Sequence, residues 1–448
     1  MKIFRKIGML LSMAAVLAFS VSCKTEVEPP HEHKFAEEWT SDESNHWHAA
    51  TCEHTEAVNE KAEHTYGTKY DEVPALNFRN GSYKQKCSVC NHVKTVPVKP
   101  EELTLLNTLG TLKVLQDTEL SDYGITEDSV PTKIAGATYV TFGVYPQTIM
   151  ASGITVADGT AGVNNGTDIK NTEITGADYY LGSDGSWYAK AKEKAYESGY
   201  KYSDETTVAQ SAANSEKYFK VEPIVWRVLK DADGKYMLLA EKLLTANVAY
   251  YGSKSTRTLS GNTVYANNYK YSNIRAFLNG TDNQFVTDGG TATDDDKDWS
   301  DKGFLQQAFT TIQQAKIAET NVDNSAASTT DSGNSLDQAT TYVCDNTTDK
   351  IFLLSEKEAT TSDYSFAAYN ASGSGNKRIR KPTDYAKANY CYTYENTDLS
   401  SGGWWWLRTP CDFNNSSARN VYRNGYADRN NNVYNTSGGV LPALFVTK

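Results

Sequence analysis

The residues with the clearest chemical potential are histidines and cysteines gathered near the start of the chain. All seven histidines fall within residues 31–99, together with Cys52, Cys87 and Cys90. Cys87 and Cys90 are separated by two residues, a spacing that lets two thiolates bind one tetrahedral metal ion. Zn²⁺ suits thiolate and imidazole ligands because it demands no geometry beyond the tetrahedron. We predict a structural zinc site with the ligands Cys52, His64, Cys87 and Cys90.

Other ligands and other bonds are compatible with the same residues. His46 and His54 are further candidate ligands. A Cys87–Cys90 or Cys52–Cys87 disulfide is the alternative in an oxidising compartment. Catalytic zinc is disfavoured, because a third cysteine ligand leaves no open position on the ion. A small module with few aliphatic residues needs either a metal or a disulfide to fold.

This segment resembles a small exported His/Cys repeat. The repeat contains His-x-Phe, His-Trp, Cys, Ala-x-His-Thr and Cys-x-x-Cys in that order. The matching positions here are His33–Phe35, His46–Trp47, Cys52, Ala62–Thr65 and Cys87–Cys90. The repeat usually has a pair of cysteines where this chain has Cys52 and then His54. The resemblance implies a zinc-ribbon-like module over residues 31–99, which we expect to act as a spacer or an adhesive stalk.

A second unusual stretch closes the chain. Trp404–Pro410 and Gly438–Val446 are apolar and predict buried strands, whereas residues 411–437 between them hold eight asparagines. One interpretation is a solvated hairpin with an Asn424-Gly425 type I′ turn. The other is a binding surface, since Tyr, Asn, Ser and Arg on a rigid frame are the contact residues of paratopes. The candidate ligand contacts are Tyr422, Arg423, Asn424, Tyr426, Asp428, Arg429, Asn430, Asn431, Asn432, Tyr434 and Asn435.

Residues 135–448 resemble an uncharacterised bacterial surface domain with the signature WWLRSP…GVRPAL. The corresponding segments are Trp405–Pro410 and Gly439–Leu444, with Leu441 where the signature has Arg. Further matching segments are Val140–Gln147, Pro223–Leu229, Ser272–Asn279 and Lys350–Ser355. That domain is similar to the formylglycine-generating-enzyme fold, which is itself C-type-lectin-like and α+β. Several members of the wider group are diversified by retroelements that mutate adenines, so the resemblance implies a C-terminal surface that varies genetically.

The same resemblance raises the alternative of an oxidase. Formylglycine-generating oxidases bind copper through two closely placed thiols, and Cys344, Cys391 and Cys411 do not match the sequence setting of that pair. A disulfide between two of them is the simpler interpretation. No histidine follows His92, which excludes Ser-His-Asp and Cys-His catalysis from the main domain. We therefore predict a ligand-binding protein that is not an enzyme, with a purely structural envelope protein as the remaining alternative.

The N-terminus predicts export to the bacterial cell envelope. A basic start is followed by the apolar segment Ile7–Phe19, too short to span a membrane. Ser20–Cys23 resembles a lipobox, although Ser20 stands where leucine is usual. We therefore predict a signal peptide over residues 1–22 and lipidation of Cys23, with an ordinary secretory signal as the alternative.

Composition and local patterns complete the prediction. The net charge of −11 argues against nucleic acid, so the expected partners are the membrane, through the lipid, and a protein or glycan ligand at the surface. We expect a tether over residues 23–30, a linker over 100–134 and an α+β main domain. Ser272 predicts the N-cap of a helix over Asn273–Asn279, and Trp187–Glu197 is rich in Ala, Lys and Glu and also predicts a helix. Asp231–Gly234 predicts a hairpin turn.

Overall fold

The computed structural model describes residues 32–73, 75, 81–98, 105–210, 215–330, 339–373, 376–394, 402–427 and 429–448. The chain divides into two compact units, the first covering residues 1–72 and 82–96 and the second covering 73–81 and 97–448. The predicted signal peptide 1–22, the lipidation site Cys23 and the tether 23–30 lie outside the described residues. Within the ranges just given, no helix has the length and apolar character needed to cross a bilayer.

The first unit consists of two three-stranded sheets. Its strands are short and mostly exposed, and His46 and Cys87 are its only buried side chains among the described residues. A hydrophobic core is therefore missing from the part of this unit that the structure describes. The strands are β1 (Phe35–Ser41), β2 (Asn45–Ala50), β3 (Val58–Glu63), β4 (Tyr70–Val73), β5 (Gly81–Lys86) and β6 (Val93–Val98).

The second unit is organised around an eight-stranded sheet and several small two- and three-stranded sheets. Its strands are β7 (Lys113–Val114), β8 (Tyr139–Ile149), β9 (Tyr179–Leu181), β10 (Trp187–Lys192), β11 (Glu216–Ala232), β12 (Lys235–Ala240), β13 (Arg257–Leu259), β14 (Asn262–Val264), β15 (Thr320–Val322), β16 (Thr347–Asp349), β17 (Ile351–Phe352), β18 (Trp405–Pro410), β19 (Ser417–Val421), β20 (Arg429–Asn432) and β21 (Ala443–Thr447).

The large sheet has the order β17-β21-β12-β11-β10-β9, and β8 joins it by pairing with β11 and with β7. Long β11 pairs antiparallel with three strands, and its buried Trp226 donates a hydrogen bond of 2.7 Å to the Phe142 carbonyl of β8. Asp233 and Gly234 both have positive φ and link β11 to β12. This confirms the predicted hairpin, because an Asp-Gly pair tolerates the left-handed turn that such a link requires.

The helices of the second unit are short. Ser272 accepts a hydrogen bond from the Arg275 N–H and caps the helix that the sequence predicted. The described helices are Leu106–Leu109, Asn273–Asn279, Gln284–Thr287, Phe304–Ala308, Thr311–Gln314, Ala326–Thr329, Glu356–Ala359 and Asp384–Ala388, with 3₁₀ segments Leu120–Tyr123, Asn164–Gly166 and Ser362–Tyr364.

Two predictions from local pattern are wrong. Trp187–Lys192 forms strand β10 instead of a helix, because pairing with β9 and β11 on both edges outweighs the helix propensity of Ala and Lys. The predicted linker 100–134 belongs to the second unit in its described part. There Leu106 and Leu120 are buried and β7 pairs with β8, so apolar burial fixes this segment on the domain.

Candidate metal centre and binding surface

Four side chains of the first unit bring their metal-binding atoms together. The ligand atoms of His46, His64, Cys87 and Cys90 all lie within 4.8 Å of one another. Donor atoms bound to zinc at about 2.0–2.3 Å lie roughly 3.5 Å apart, so a small inward movement would complete the tetrahedron. We refer to these four residues as the zinc cluster.

The strand register explains how two of the ligands meet. Strands β2 and β3 pair antiparallel with Asn45 opposite Glu63, so His46 and His64 lie at the same end of the hairpin. The other two members of the cluster, Cys87 and Cys90, occupy the turn between β5 and β6. A bridge between Tyr66 and Cys87 brings that turn beside the residues that follow His64.

The backbone shapes the turn around Cys87 and Cys90. The Ser88 N–H donates to the Thr65 carbonyl at 2.9 Å, and the Cys87 N–H donates to the His92 carbonyl at 2.8 Å. Asn91 has a φ of 64°, a left-handed conformation that asparagine tolerates better than most residues. Together these features close a tight turn that holds both thiols on one side.

His64 is oriented as a metal ligand. Its Nε2 lies 2.9 Å from the Asp42 carbonyl, which can only accept, so Nε2 carries the proton. Its Nδ1 therefore keeps a lone pair and points at the Cys90 Sγ, 3.3 Å away. Histidine ligands usually donate their second N–H to a carbonyl or carboxylate in this way. The hydrogen bond to the Asp42 carbonyl raises the pKa of His64.

Cys87 is prepared to ionise. Burial opposes the thiolate, but hydrogen bonds from the backbone N–H groups of Cys90 and Val89 lower the pKa of Cys87 to about 6. Burial raises the pKa of Cys90 instead. One thiolate is therefore available near neutral pH without a metal, and a bound cation would stabilise the second.

His46 gives the strongest indication that a metal belongs here. Its side chain is only 4 % exposed, and its Nδ1 has no hydrogen-bond partner. A buried polar atom without a partner costs about 1–3 kcal/mol, and few are found in native proteins. A zinc ion bound by two thiolates and two imidazoles would remove this cost, so the residues present fit the ion that the sequence predicted.

The structure changes one member of the predicted ligand set. It brings His64, Cys87 and Cys90 together but places Cys52 with His33 and His54, and His46 takes the fourth place. Cys52 follows β2 at its far end, and the four strand residues after His46 span about 13 Å. A single ion cannot bridge that distance. His46 is identified as a candidate ligand by the pairing of β2 with β3, which places it beside His64. Residue spacing alone does not show this pairing.

The cysteine thiols bear on the disulfide and oxidase alternatives. Cys87 and Cys90 are free thiols, so neither disulfide considered for this module is formed in the structure. The three thiols of the second unit are also free, and burial raises the pKa of Cys344 to about 11 and the pKa values of Cys391 and Cys411 as well. Thiols held neutral in this way are poor nucleophiles and poor metal ligands.

The C-terminal stretch has a buried frame. Strands β18, β19 and β20 form one antiparallel sheet, and every residue of β18 and β19 is buried. Trp405 donates a hydrogen bond of 3.1 Å from its indole to the Arg378 carbonyl. Arg408 pairs with Glu358, its Nη2 lying 3.1 Å from Oε1. With Trp404, Trp405 and Trp406 all buried, none of these tryptophans is a surface contact.

The candidate contact residues lie on the surface of this frame. Asn430, Asn432 and Tyr434 are exposed, and Tyr434 is 47 % exposed. Asp428 lies outside the described residues, and of Arg429 only the backbone in β20 is described. The other six are partly exposed: Tyr422, Arg423, Asn424, Tyr426, Asn431 and Asn435. None of the nine side chains that the structure describes in this set is buried. We refer to these nine as the Asn/Tyr surface.

A tight turn presents part of this surface. The Gly425 N–H donates to the Tyr422 carbonyl and the Tyr422 N–H donates to the Tyr426 carbonyl. Of Asn424 and Gly425, only Gly425 has positive φ, at 84°, so the predicted type I′ turn is replaced by a three-residue turn ending in a left-handed glycine. Buried Arg378 donates from Nε to the Gly425 carbonyl at 2.6 Å and fixes the turn from below.

Sequence reasoning missed an aromatic neighbour of the surface. Tyr394 is 43 % exposed, and the Arg423 guanidinium lies 3.7 Å from its ring centroid. Tyr394 precedes the Asn-rich stretch by seventeen residues, so no composition signal connected the two. The stacked pair extends the Asn/Tyr surface with a rigid, planar, positively charged group.

Comparison with known proteins gives one similarity. Residues 233–448 match a family described as a domain of unknown function, DUF6273. The chain is similar to that family from the β11–β12 turn to its last residue, a range that includes the whole Asn/Tyr surface and its frame. Searches of curated proteins and of solved structures found no match.

Proposed function

We propose that this protein binds a protein or glycan ligand at the bacterial cell surface through the Asn/Tyr surface. The observation that supports this most directly is the separation of roles in the C-terminal stretch. Side chains of β18 and β19 are buried, whereas the nine side chains described for the surface all reach solvent. Residues that do not build the core can be exchanged for recognition without loss of the fold.

The residue types of the surface suit recognition. Tyrosine offers a large rigid contact area at little cost in conformational entropy, and asparagine both donates and accepts hydrogen bonds. Arg423 is held against Tyr394 before any ligand arrives, which lowers the entropy lost on binding. A C-type-lectin-like fold, genetic diversification of the surface and lipidation of Cys23 belong to the same proposal and rest on the sequence resemblance.

A binding role also agrees with the chemistry of the second unit. It contains no histidine, and its three cysteines are free thiols whose pKa values are raised by burial. These features give no support to the oxidase alternative. Nothing specific in the described residues favours an enzyme over a binding protein.

We propose in addition that a zinc ion bound by the zinc cluster holds the first unit together. The orphaned Nδ1 of buried His46 and the preset tautomer of His64 support this role. With four protein ligands the ion would have no open position, which suits a structural role. The unit would then act as a folded spacer between the predicted lipid anchor and the second unit.

The test of ligand binding begins with a printed glycan array and a random peptide display library, both probed with the labelled protein. For any ligand found, Tyr434→Ala and Arg423→Ala should each weaken binding by about tenfold or more, the effect typical of aromatic and arginine contacts. Asn262→Ala is the matched control, because Asn262 is an exposed asparagine in the separate β13–β14 hairpin.

The fold of each variant is checked by thermal unfolding. The proposal is contradicted if Asn262→Ala weakens binding as much as Tyr434→Ala does. It is also contradicted if the surface variants unfold, because the surface would then be part of the structural frame. Binding that survives both surface substitutions would place the ligand elsewhere on the molecule.

A further inference from the structure

A second cluster of metal-binding side chains lies in the first unit, apart from the zinc cluster. The ligand atoms of His33, Cys52 and His54 lie within 4.8 Å of one another. The Cys52 Sγ is 3.6 Å from the His33 Nδ1, and the rings of His33 and His54 pack edge to face with centroids 5.3 Å apart. Two imidazoles and one thiol therefore converge on a single point.

The backbone fixes this convergence. Phe35 pairs with Ala50, and the Thr51 N–H donates to the Lys34 carbonyl at 2.7 Å, which sets His33 beside Cys52. The connection from β2 to β3 then turns back, with the Ala57 N–H donating to the His54 carbonyl at 3.1 Å. The three side chains thus come from the start of β1 and from the β2–β3 connection.

The two clusters occupy opposite ends of one sheet. In the antiparallel pair of β1 and β2, His46 pairs with Ser41 at one end and Ala50 pairs with Phe35 at the other. The strand between His46 and Ala50 spans about 13 Å, so one metal ion cannot serve both clusters. The clusters also differ in exposure, because His46 and Cys87 are buried whereas His33 is exposed and Cys52 and His54 are partly exposed.

We propose that His33, Cys52 and His54 bind a second Zn²⁺ ion. The described residues supply three ligands, and the fourth position of the tetrahedron would be taken by water or by a further imidazole, carboxylate or thiolate. Because the site is more exposed than the zinc cluster, its ion should exchange faster and be removed first by a chelator. The first unit then carries one structural ion and one exchangeable ion.

The test measures metal stoichiometry in the purified full-length protein under reducing conditions. After saturation with Zn²⁺ and removal of excess metal, we expect two equivalents in the native protein and one in Cys52→Ser and in His33→Ala. His48→Ala is the matched control, since His48 lies in β2 but belongs to neither cluster, and it should keep two equivalents. One equivalent in the native protein, or two in both site variants, would overturn the proposal.

Substitution with Co²⁺ shows which site is lost. Thiolate-to-cobalt charge transfer should fall by about a third in Cys52→Ser, because three thiolate ligands become two. In Cys90→Ser we expect both ions to be lost, because the first unit should unfold without its structural ion. A Cys90→Ser protein that keeps a cobalt ion with one thiolate ligand would contradict the structural zinc proposal and support this one. If Cys52→Ser loses both metals, His33→Ala decides, because His33 is exposed and lies outside the strands. Retention of one cobalt ion there supports the second site, and loss of both contradicts it.

Discussion

The first unit buries only His46 and Cys87 among its described side chains, whereas the second buries a large apolar core that includes Trp226, Trp405 and Trp406. Both buried side chains of the first unit belong to the zinc cluster. In the second unit the buried charged groups are paired or hydrogen-bonded within the fold, as Arg408 is with Glu358.

This difference indicates two ways of stabilising a folded unit. A small sheet with little apolar burial cannot offset its conformational entropy, and the proposed zinc ion would supply the missing stabilisation through a few strong bonds. A large core distributes the stabilisation over many contacts, so the surface residues are not needed to stabilise the fold. The expected consequence is that the first unit fails as a whole when one ligand is removed, while the second tolerates change over its surface.

Metal removal should have the largest effect. Structural zinc in small domains contributes an apparent free energy of about 10–16 kcal/mol, more than the net stability of a small unit. We expect Cys90→Ser, or treatment with a strong zinc chelator, to abolish amide hydrogen-exchange protection in β2 and β5. Peptides from β11 and β12 should keep their protection, because the second unit has its own core.

Val89→Ala provides the control for this experiment, because Val89 is exposed and lies between the two cysteines. It should leave protection unchanged. Protection of β2 that persists without metal would show that the first unit folds by other means. The two units would then not differ in their dependence on a metal.

In the second unit the largest effects should come from single core positions, and they should remain smaller than metal loss. Trp405→Phe removes volume from a fully buried site and leaves the Arg378 carbonyl without its indole donor, so we expect a loss of about 3 kcal/mol. Trp406→Phe is the matched control, because the Trp406 indole N–H is buried without a hydrogen-bond partner. It should cost about 1 kcal/mol, since losing an unsatisfied donor offsets part of the lost packing. Urea unfolding of the second unit measures both, and equal losses would show that the Trp405 hydrogen bond contributes nothing.

Sequence reasoning succeeded where the determining interaction is local. The β11–β12 hairpin follows from Asp233 and Gly234, and the helix Asn273–Asn279 follows from its Ser272 cap, all within a few residues of the element they define. The prediction of a helix at Trp187–Lys192 failed because strands distant in sequence pair with it on both sides.

The same distinction applies to the candidate sites. Cys87 and Cys90 are recognisable from their spacing, because both ligands lie in one turn. The choice between Cys52 and His46 depends on which end of the β2–β3 hairpin faces that turn, and residue spacing does not encode it. Likewise the pairing of Arg408 with Glu358, fifty residues away, depends on the fold and not on local sequence.

The smallest expected effect concerns a polar cluster near the surface of the second unit, where a single charge should matter far less than a metal ligand. Burial alone would raise the pKa of Asp158, but hydrogen bonds from Thr160 and Tyr218, together with Lys190, lower it to about 2. A carboxyl whose pKa is lower in the folded state than its ordinary value near 3.8 stabilises the fold above that value. This contribution is lost as the pH falls from about 4 to 2.

We therefore expect Asp158→Asn to destabilise the second unit by about 1 kcal/mol at neutral pH, a value that allows for screening by solvent. The difference from the native protein should shrink between pH 4 and pH 2, as measured by urea unfolding at each pH. Glu205→Gln is the control, because the exposed pair of Lys201 and Glu205 at 3.2 Å should contribute less than about 0.5 kcal/mol. A loss that stays constant down to pH 2 would mean that the geometry of the Asp158 hydrogen bonds, and not its charge, stabilises this part of the second unit.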